Sequence, residues 1–545
     1  MSSLRNVCWN VVAILPLTVS ALYGQKGNNW VDGTLIEFKN DAAWCWFQDE
    51  RAVVDTSRGR LIIGSTNMQN SVDVTFFDIT AGKVESSKQF SRLQGGPDDH
   101  NAPAVLIRPD GGYLAMWSYH FDEYNTHYSN FDGSKWSNEK TFDWTKIPGG
   151  TNHTIAYCNI CYLSSEKRTY NFVRANNKAP NIMISDDNGT TWKFGGQLTT
   201  NGSDTYNKGY YKYWSNGVDR IDMVFTEQHP RDTTTSIFHG YIRNGKCYST
   251  DGTVADDNIL DTFDIPNYNS FTRVFKNGTE LDGISYGRCW QSDIMRYSDS
   301  SIAILFEARA DNSINDHRNF YARYDGVEWK YTYIGKAGSP MYSDEEDYTG
   351  LGALCPDDPS RIYISSPYNP GDDSSKPGKR EIWRGSTSDK GKTWEWEAVT
   401  ANSSEDNFRP IVPRWKPGKD VLLWFRGRYT TAQNFATRIV GTISEYTVKN
   451  NYQKEKKRNF TSAISVQSNR NGFVTLDLGL SPLRSIITVT ILTVSGKPVV
   501  SFANGVYTAD KRGIRFSTGN IPQGVYLCRV TTREYSKVMT FGVVR

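Results

Sequence analysis

Apolar and polar positions alternate along most of this chain in short runs, and the runs are separated by turn-forming residues. Gly112–Ser118, Thr169–Arg174, Arg220–Thr226, Ile302–Glu307, Arg361–Ser365 and Val421–Arg426 each read as a strand that follows a turn signal. The turns themselves repeat. Ser185-Asp-Asp-Asn-Gly-Thr-Thr-Trp192 fits S-x-D-x-G-x-T-W, and Thr387-Ser-Asp-Lys-Gly-Lys-Thr-Trp394 repeats it with Thr in the first place. In such a hairpin the Asp caps the turn, the Gly takes the positive φ, and the Trp packs beneath. Looser copies stand at Phe131-Asp-Gly-Ser-Lys-Trp136 and Tyr324-Asp-Gly-Val-Glu-Trp329.

Spacing these signals out gives units near 44–80, 100–145, 153–200, 208–255, 286–335, 348–398 and 407–446. Seven copies of roughly 45 residues are the signature of an all-β, seven-bladed propeller. The texture changes after about Asn450. Residues 451–461, with Lys454-Glu-Lys-Lys-Arg458, read as a charged linker, and 462–545 as a separate small β module. At the other end Arg5 precedes a mostly apolar stretch, Val11–Leu22, with small residues at Ala21 and Gly24, so 1–24 read as a signal peptide. No later run approaches the ~20 apolar residues that span a bilayer. The expected product is exported, with a catalytic or binding domain over 25–450.

Composition supports strands over helices: Tyr, Trp and Phe number 31, 16 and 25, and Gly 45. The 62 basic and 59 acidic side chains leave a net charge of +3. That balance argues against nucleic acid as the main partner and still allows a local basic pocket for an anionic substrate. The eight cysteines lack the dense spacing of a disulfide scaffold. In Cys158-x-x-Cys161 the two side chains would point to opposite faces of a strand, which reads as packing.

Four stretches carry titratable groups that sheet packing does not require. Asp98-Asp-His-Asn-Ala-Pro103 and Trp117-Ser-Tyr-His120 place His100 and His120 at the two ends of one hairpin, with Asn101 beside them. Asn152-His-Thr-Ile-Ala-Tyr157 and Tyr170-Asn-Phe-Val-Arg174 place Tyr157 and Arg174 likewise one unit on, with His153 nearby. An Arg at the end of an apolar strand, aimed into the mouth, is a carboxylate clamp; its plainer alternative is a pair with an edge Asp. Lys208-Gly-Tyr-Tyr-Lys-Tyr213 brings Tyr210 or Tyr211 to the same rim. His229, His239, Cys247 and Cys289 are the residue types of a tetrahedral structural zinc site, although the spacing is not that of a zinc finger and a buried Cys is often a small apolar residue.

Three resemblances follow from these motifs. The S-x-D-x-G-x-T-W turns resemble the Asp boxes of sialidase-like propellers. Trp44-Cys-Trp-Phe-Gln-Asp-Glu-Arg-Ala52, the D-D-H-N-x-P at His100 with His120, the Tyr157 and Arg174 hairpin, and T-E-Q-H-P at His229 together resemble the propeller polysaccharide lyases that include ulvan lyases, over nearly all of residues 30–446. The resemblance implies a catalytic set of His100, His120, Tyr157, Arg174 and Tyr210, with Tyr211 and Tyr213 as the alternative registers for the last. Asn101, His153, Tyr211 and Arg288 are the expected substrate contacts. It also implies β-elimination on a uronate- and rhamnose-containing polysaccharide with no cofactor in the chemistry, and a structural zinc. In that scheme Arg174 and a His neutralise the uronate carboxylate, and Tyr157 shuttles the proton if a neighbour lowers its pKa. The tail, through Val489-Thr-Ile-Leu-Thr-Val-Ser-Gly-Lys-Pro498 and Ile521-Pro-Gln-Gly-Val-Tyr-Leu527, resembles the sorting domain of the Bacteroidetes type IX secretion system, which would make that machinery a partner and the cell surface or medium the destination.

Two other readings stay open at this level. A hydrolase of the sialidase kind needs an Arg triad and a Tyr–Glu pair, for which Arg51, Arg309, Arg426 and Glu307 are available, while a rhamnosidase of the related kind uses a His where this chain has Gln48. A sugar-binding propeller without catalysis needs only aromatic platforms, and would not demand the His, Tyr and Arg set.

Overall fold

The computed structural model describes residues 26–545 apart from 93–94, 121–122, 149–154, 201–208, 343–344, 376–377, 447–464, 470–472, 478–484, 508–512, 518–520, 532–535 and 544–545. The expected signal peptide, the expected linker and His153 lie outside the described residues. The described chain is all-β: its helical turns are short 3-10 segments, and none of its helices is long and apolar enough to cross a membrane.

Strands pair with their sequence neighbours in one antiparallel sheet after another. Ala52–Asp55, Arg60–Thr66, Ser71–Asp78 and Lys83–Arg92 form the first. The next are built from 104–143, 156–197, 211–275, 279–338 and 352–398. The last contains Asp406–Ile411, Lys419–Thr431 and Asn434–Glu445, and its outer position is filled by Ile36–Lys39 from the start of the chain, with Ile36 opposite Gly441. A strand from near the start of the chain thus completes the last sheet and joins the two ends of the series.

The repeated turns hold the geometry that their sequence asks for. Ser185 Oγ donates to Asp187 Oδ1 (2.8 Å) and accepts from Gly189 N (2.8 Å), while Asp187 Oδ1 accepts from the Thr190 and Thr191 amides. Thr387, Asp389, Gly391 and Thr393 reproduce the same bonds. Both turns dock on the preceding sheet. Asn130 Nδ2 donates to Gly189 O (2.9 Å), and a Cβ on Gly391, at φ +86°, would meet the Tyr321 ring at 2.3 Å. Glycine is required there both by φ and by the close approach.

Trp44–Arg51 runs through the centre, where the sheets converge. Trp44, Cys45, Trp46 and Phe47 are buried in one core cluster with Tyr157, Tyr210, Trp290, Tyr348, Phe408 and Phe425, residues drawn from different sheets. Phe47 stacks on Trp290 at 3.5 Å between ring centroids, and Trp46 Nε1 donates to Thr349 O (2.7 Å). Asp49 Oδ1 accepts from Tyr213 N, Gln48 O accepts from Arg409 Nη2, and Gln48 Nε2 donates to His100 O (2.7 Å). Burying each large apolar side chain removes its surface from water and contributes about 1.5–3 kcal/mol. The segment is a central plug, tied by polar bonds to the sheets that surround it.

The tail is again β. Ser485–Thr493, Pro498–Tyr507, Gly524–Thr531 and Ser536–Val543 make one sheet, and Ser465–Asn469, Phe473–Asp477 and Gly513–Ser517 another.

Candidate functional site

Beside the plug lies a cavity of about 270 Å³ lined by His100, His120, Arg174, Tyr210, His229 and Arg231 together with Tyr342, Glu345, Tyr348 and Gln433. His100 sits in a 3-10 turn, Asp99–Asn101, capped by Asp98, and His120 follows strand Tyr113–Ser118 of the same hairpin. The rings stack, with centroids 3.9 Å apart and planes at 15°. Tyr157 is 5.3 Å from the His100 ring and edge-on to Tyr210 at 5.9 Å. Arg174 Nη1 donates to Tyr210 Oη (3.5 Å), with the guanidinium over the Tyr210 ring.

Tyr157 reaches this position through an irregular backbone. Its φ is +63°, and the pairing of Ala156–Leu163 with Arg168–Arg174 shifts register between Ala156 and Asn159. A bulky residue in the left-handed region costs about 1–3 kcal/mol and persists only where its surroundings enforce it. Here the bulge aims the ring inward, where the side chain is buried against the plug and its hydroxyl lies 3.8 Å from Cys45 Sγ.

The electrostatics divide the two histidines. Burial opposes charge on His100, but Cys45, Asp98 and Asp99 hold its pKa well above the ordinary value. Burial and the neighbouring His100 push His120 down to about 3 against the pull of Asp98. Burial, with Arg231 and Arg174, holds His229 well below the ordinary value. Burial raises Glu345 to about 7, although Arg231 and His100 favour its charged form. For Tyr157, burial first and Cys45 and Tyr210 next push the phenol well above its ordinary value, and Arg174 offsets only part of this. The expectation that a neighbouring cation lowers the Tyr157 pKa is therefore corrected: the plug desolvates the hydroxyl more than Arg174 stabilises a phenolate.

The other expected contacts fall elsewhere. Strand alternation separates Tyr210, on the cavity, from Tyr211, whose hydroxyl bonds Thr199 Oγ1 at 2.6 Å within the sheet core. Asn101 Oδ1 accepts from His120 N (2.9 Å), which places it behind the histidines. Arg288 donates to the carbonyls of Pro230 (2.7 Å) and Arg231 (2.9 Å) and to Asn312, so it holds the loop that carries His229 and Arg231.

The His229, His239, Cys247 and Cys289 set does not converge. Ile242 pairs with Cys247 across the hairpin, so His239 and Cys247 project from opposite faces of the sheet. His239 bonds Thr250 Oγ1 and Asp222, Cys247 and Cys289 lie in different core clusters, and His229 packs edge-on against Tyr210 and Trp290. The clusters of metal-ligating side chains among the described residues are instead Cys45–Asp99–His100 and Asp98–His100–His120. The four residues do not fit one tetrahedral zinc. The arginines of a sialidase-like triad are committed singly: Arg51 to Gln48, Arg309 to Asp347 and Arg426 to Asn29.

Residues that sequence reasoning missed include Asp98, Asp99, Arg231, Glu345 and Gln433. The two Asp residues adjoin His100 in the motif that drew attention to it; Glu345 and Gln433 come from distant loops without any pattern.

No known protein family matches the chain, and no curated protein matches it. Solved structures do. An ulvan lyase of polysaccharide lyase family PL25, in two structures, one bound to -[GlcA(1-4)Rha3S]-, is similar with TM-score 0.53 and 12% identity over 74% of this chain and 95% of its own. The polysaccharide lyase Uly1 matches with TM-score 0.46 and 13% identity over 78% of this chain and 94% of its own. The fold resembles that of the ulvan lyase.

Proposed function

We propose that this chain is an exported polysaccharide lyase, a seven-bladed propeller that breaks the bond between rhamnose and a uronic acid by β-elimination, with ulvan as its substrate. The observation that carries the reading is the convergence of His100, His120, Arg174 and Tyr210 on one cavity, with Tyr157 against the His100 ring, from three separate sheets. Joining of the last sheet by Ile36–Lys39 is the closure that a propeller uses to remove its free edges. The likeness to an ulvan lyase bound to a glucuronate–sulfated rhamnose repeat supports the choice of polymer. A signal peptide and the tail as a type IX secretion sorting domain complete the proposal.

The chemistry suits the residues. The C5 proton of a uronate is removable only once the adjacent carboxylate is neutralised, and Arg174 with an imidazolium supplies that charge. A neutral imidazole takes the proton as the C4–C5 double bond forms and the C4–O bond breaks. Tyr157, kept as a phenol by burial, donates to the departing oxygen. The two histidines and Arg174 line the cavity, and Tyr157 packs beside the His100 ring.

The test is ultraviolet absorbance during incubation with ulvan, because elimination leaves a conjugated double bond and hydrolysis does not. A rising signal that falls ~100-fold or more in Tyr157→Phe and Arg174→Ala is expected, the usual scale for a positioned acid or an electrostatic clamp. New reducing ends without absorbance would make the protein a hydrolase, and neither signal would refute ulvan as substrate.

A further inference from the structure

A second cavity, of about 530 Å³, lies further along the same strands. His100, Tyr157 and Tyr210 stand at or before the starts of Ala104–Ile107, Ala156–Leu163 and Tyr211–Ser215, and later residues of those strands line the second cavity. The end of the plug, Asp49–Arg51, forms part of its wall, and it shares no lining residue with the histidine cavity.

The wall carries Lys212, Asp49, Glu50 and Asp293. Tyr211 and Tyr213 pack in the sheet core, so strand alternation turns Lys212 to the other face, where it is 3% exposed. A lysine buried to that extent is ordinarily paired. Lys212 makes no hydrogen bond or ion pair among the described residues, although Asp293, Asp49 and Glu50 are near enough to act on its charge. Backbone donors hold the carboxyls in place: Asp49 Oδ1 accepts from Tyr213 N, Glu50 Oε1 from Val412 N (3.2 Å) and Asp293 Oδ2 from Leu354 N (2.7 Å). Asp49 Oδ2 and Glu50 Oε2 accept nothing among the described residues. Donor and acceptors from two sheets and the plug thus face one cavity without meeting. A hydroxyl both donates and accepts, so a ligand with several hydroxyls bridges them. No charge is needed on any of the four, since a carboxyl accepts and a lysine nitrogen donates in either protonation state.

The rest of the wall narrows the ligand. Trp214 and Trp415 are half-buried there, and the exposed Arg414 lies over the Trp214 ring, 5.2 Å from its centroid, with no ion pair among the described residues. Indole surface suits the C–H face of a sugar ring, and an unpaired guanidinium suits an acid group. The volume is in the range of small-ligand sites. A metal fits less well, because the side-chain clusters tight enough to hold an ion among the described residues lie around His100.

We propose that this cavity is a second sugar-binding site, which takes one unit at the end of an acidic oligosaccharide, its ring hydroxyls bridging Lys212 to Glu50 and Asp293 and its acid group on Arg414. The lyase reading is not a premise, because the two cavities have no residue in common.

Saturation-transfer NMR on the full chain tests this, with methyl β-glucuronide and, as its uncharged counterpart, methyl β-glucoside. Neither offers a C4 glycosidic bond to break. Arg174→Ala serves as the background, so that the histidine cavity loses its clamp. In that background both sugars should receive saturation, the glucuronide with the lower Kd. Adding Lys212→Met, which keeps the buried volume filled, should weaken both ~10-fold or more, the scale of a lost hydrogen bond from a charged donor. Adding Arg414→Ala instead should weaken the glucuronide ~5-fold, to the level of the glucoside, and leave the glucoside unchanged. The proposal is overturned if neither sugar binds, if Arg174→Ala alone abolishes binding that the parent shows, or if Lys212→Met leaves both affinities unchanged. Should Lys212→Met fail to fold, Arg414→Ala at its exposed position decides: an unchanged glucuronide, or equal loss of both sugars, overturns the site. Absence of elimination on ulvan would sink the lyase reading and leave every one of these outcomes as decisive as before.

Discussion

Glu345 gives the pH dependence a specific sign. The side chain lines the cavity together with the histidines, ion-paired with Arg231, and burial lifts its pKa to about 7. Below that pH it is neutral; above it the cavity gains a negative charge that a uronate must approach. A cavity of about 270 Å³ is about one sugar ring across. Two unit charges ~8 Å apart at an effective dielectric constant of ~20 repel by about 2 kcal/mol. Arg231 cancels part of that, and a net cost of about 1 kcal/mol corresponds to roughly a fivefold change in affinity. KM for ulvan should therefore rise roughly fivefold between pH 6 and pH 8, with kcat less affected. Glu345→Gln removes the ionisation without removing the side chain, so its KM should be flat over the same window and match the parent's low-pH value. Initial rates by ultraviolet absorbance at fixed ionic strength measure both, and constant salt matters because screening would mimic the effect. A parent KM that does not change, or a rise that survives in Glu345→Gln, refutes the argument and assigns the titration to another group.

Two further outcomes follow from the packing. Phe47→Ala empties the stack on Trp290 at the centre of the plug, and urea unfolding should show a loss of about 3–5 kcal/mol, the usual range for a buried Phe. A loss under ~1 kcal/mol would mean that the plug is not the keystone its contacts suggest. Because the His229, His239, Cys247 and Cys289 side chains do not converge, any change of Tm on dialysis against a chelator should be the same, within ~1 °C, in the parent and in Cys247→Ser. A chelator effect of several degrees that Cys247→Ser abolishes would contradict that placement.

How much of this was readable in the chain depends on whether the signal was local. The Asp-box turns at Ser185 and Thr387 were, because the bonds that shape each turn fall within four residues of Asp187 or Asp389. His100 and His120 were readable for the same reason, lying at the ends of one hairpin. Closure was not: Ile36–Lys39 pairs with a strand about 400 residues away, and nothing in its four residues announces that partner. Glu345 and Gln433 stayed hidden because their loops carry no periodicity, and only the closing of the sheets around the plug brings them to the histidines. The Tyr157 pKa was misjudged because a cationic neighbour can be inferred from sequence and desolvation by the plug cannot.

The zinc set shows the opposite case, in which a local signal was present and decisive. Arg243-Asn-Gly-Lys246 is a two-residue hairpin turn, and Asn244 and Gly245 both have positive φ, at 53° and 68°. Such a turn fixes the register at once: Arg243 faces Lys246, Ile242 faces Cys247, and His239 falls opposite Thr250, to which it bonds at 2.8 Å. Side chains paired across a hairpin share a face and alternate along it, so His239 and Cys247 stand on opposite sides of the sheet whatever the rest of the fold does. Residue types suited to a metal are therefore insufficient where turn geometry already separates them. The same parity rule, applied at Tyr210 and Tyr211, puts one hydroxyl in the cavity and the other in the sheet core, which makes register the physical fact that decides which of several chemically eligible residues enters the site.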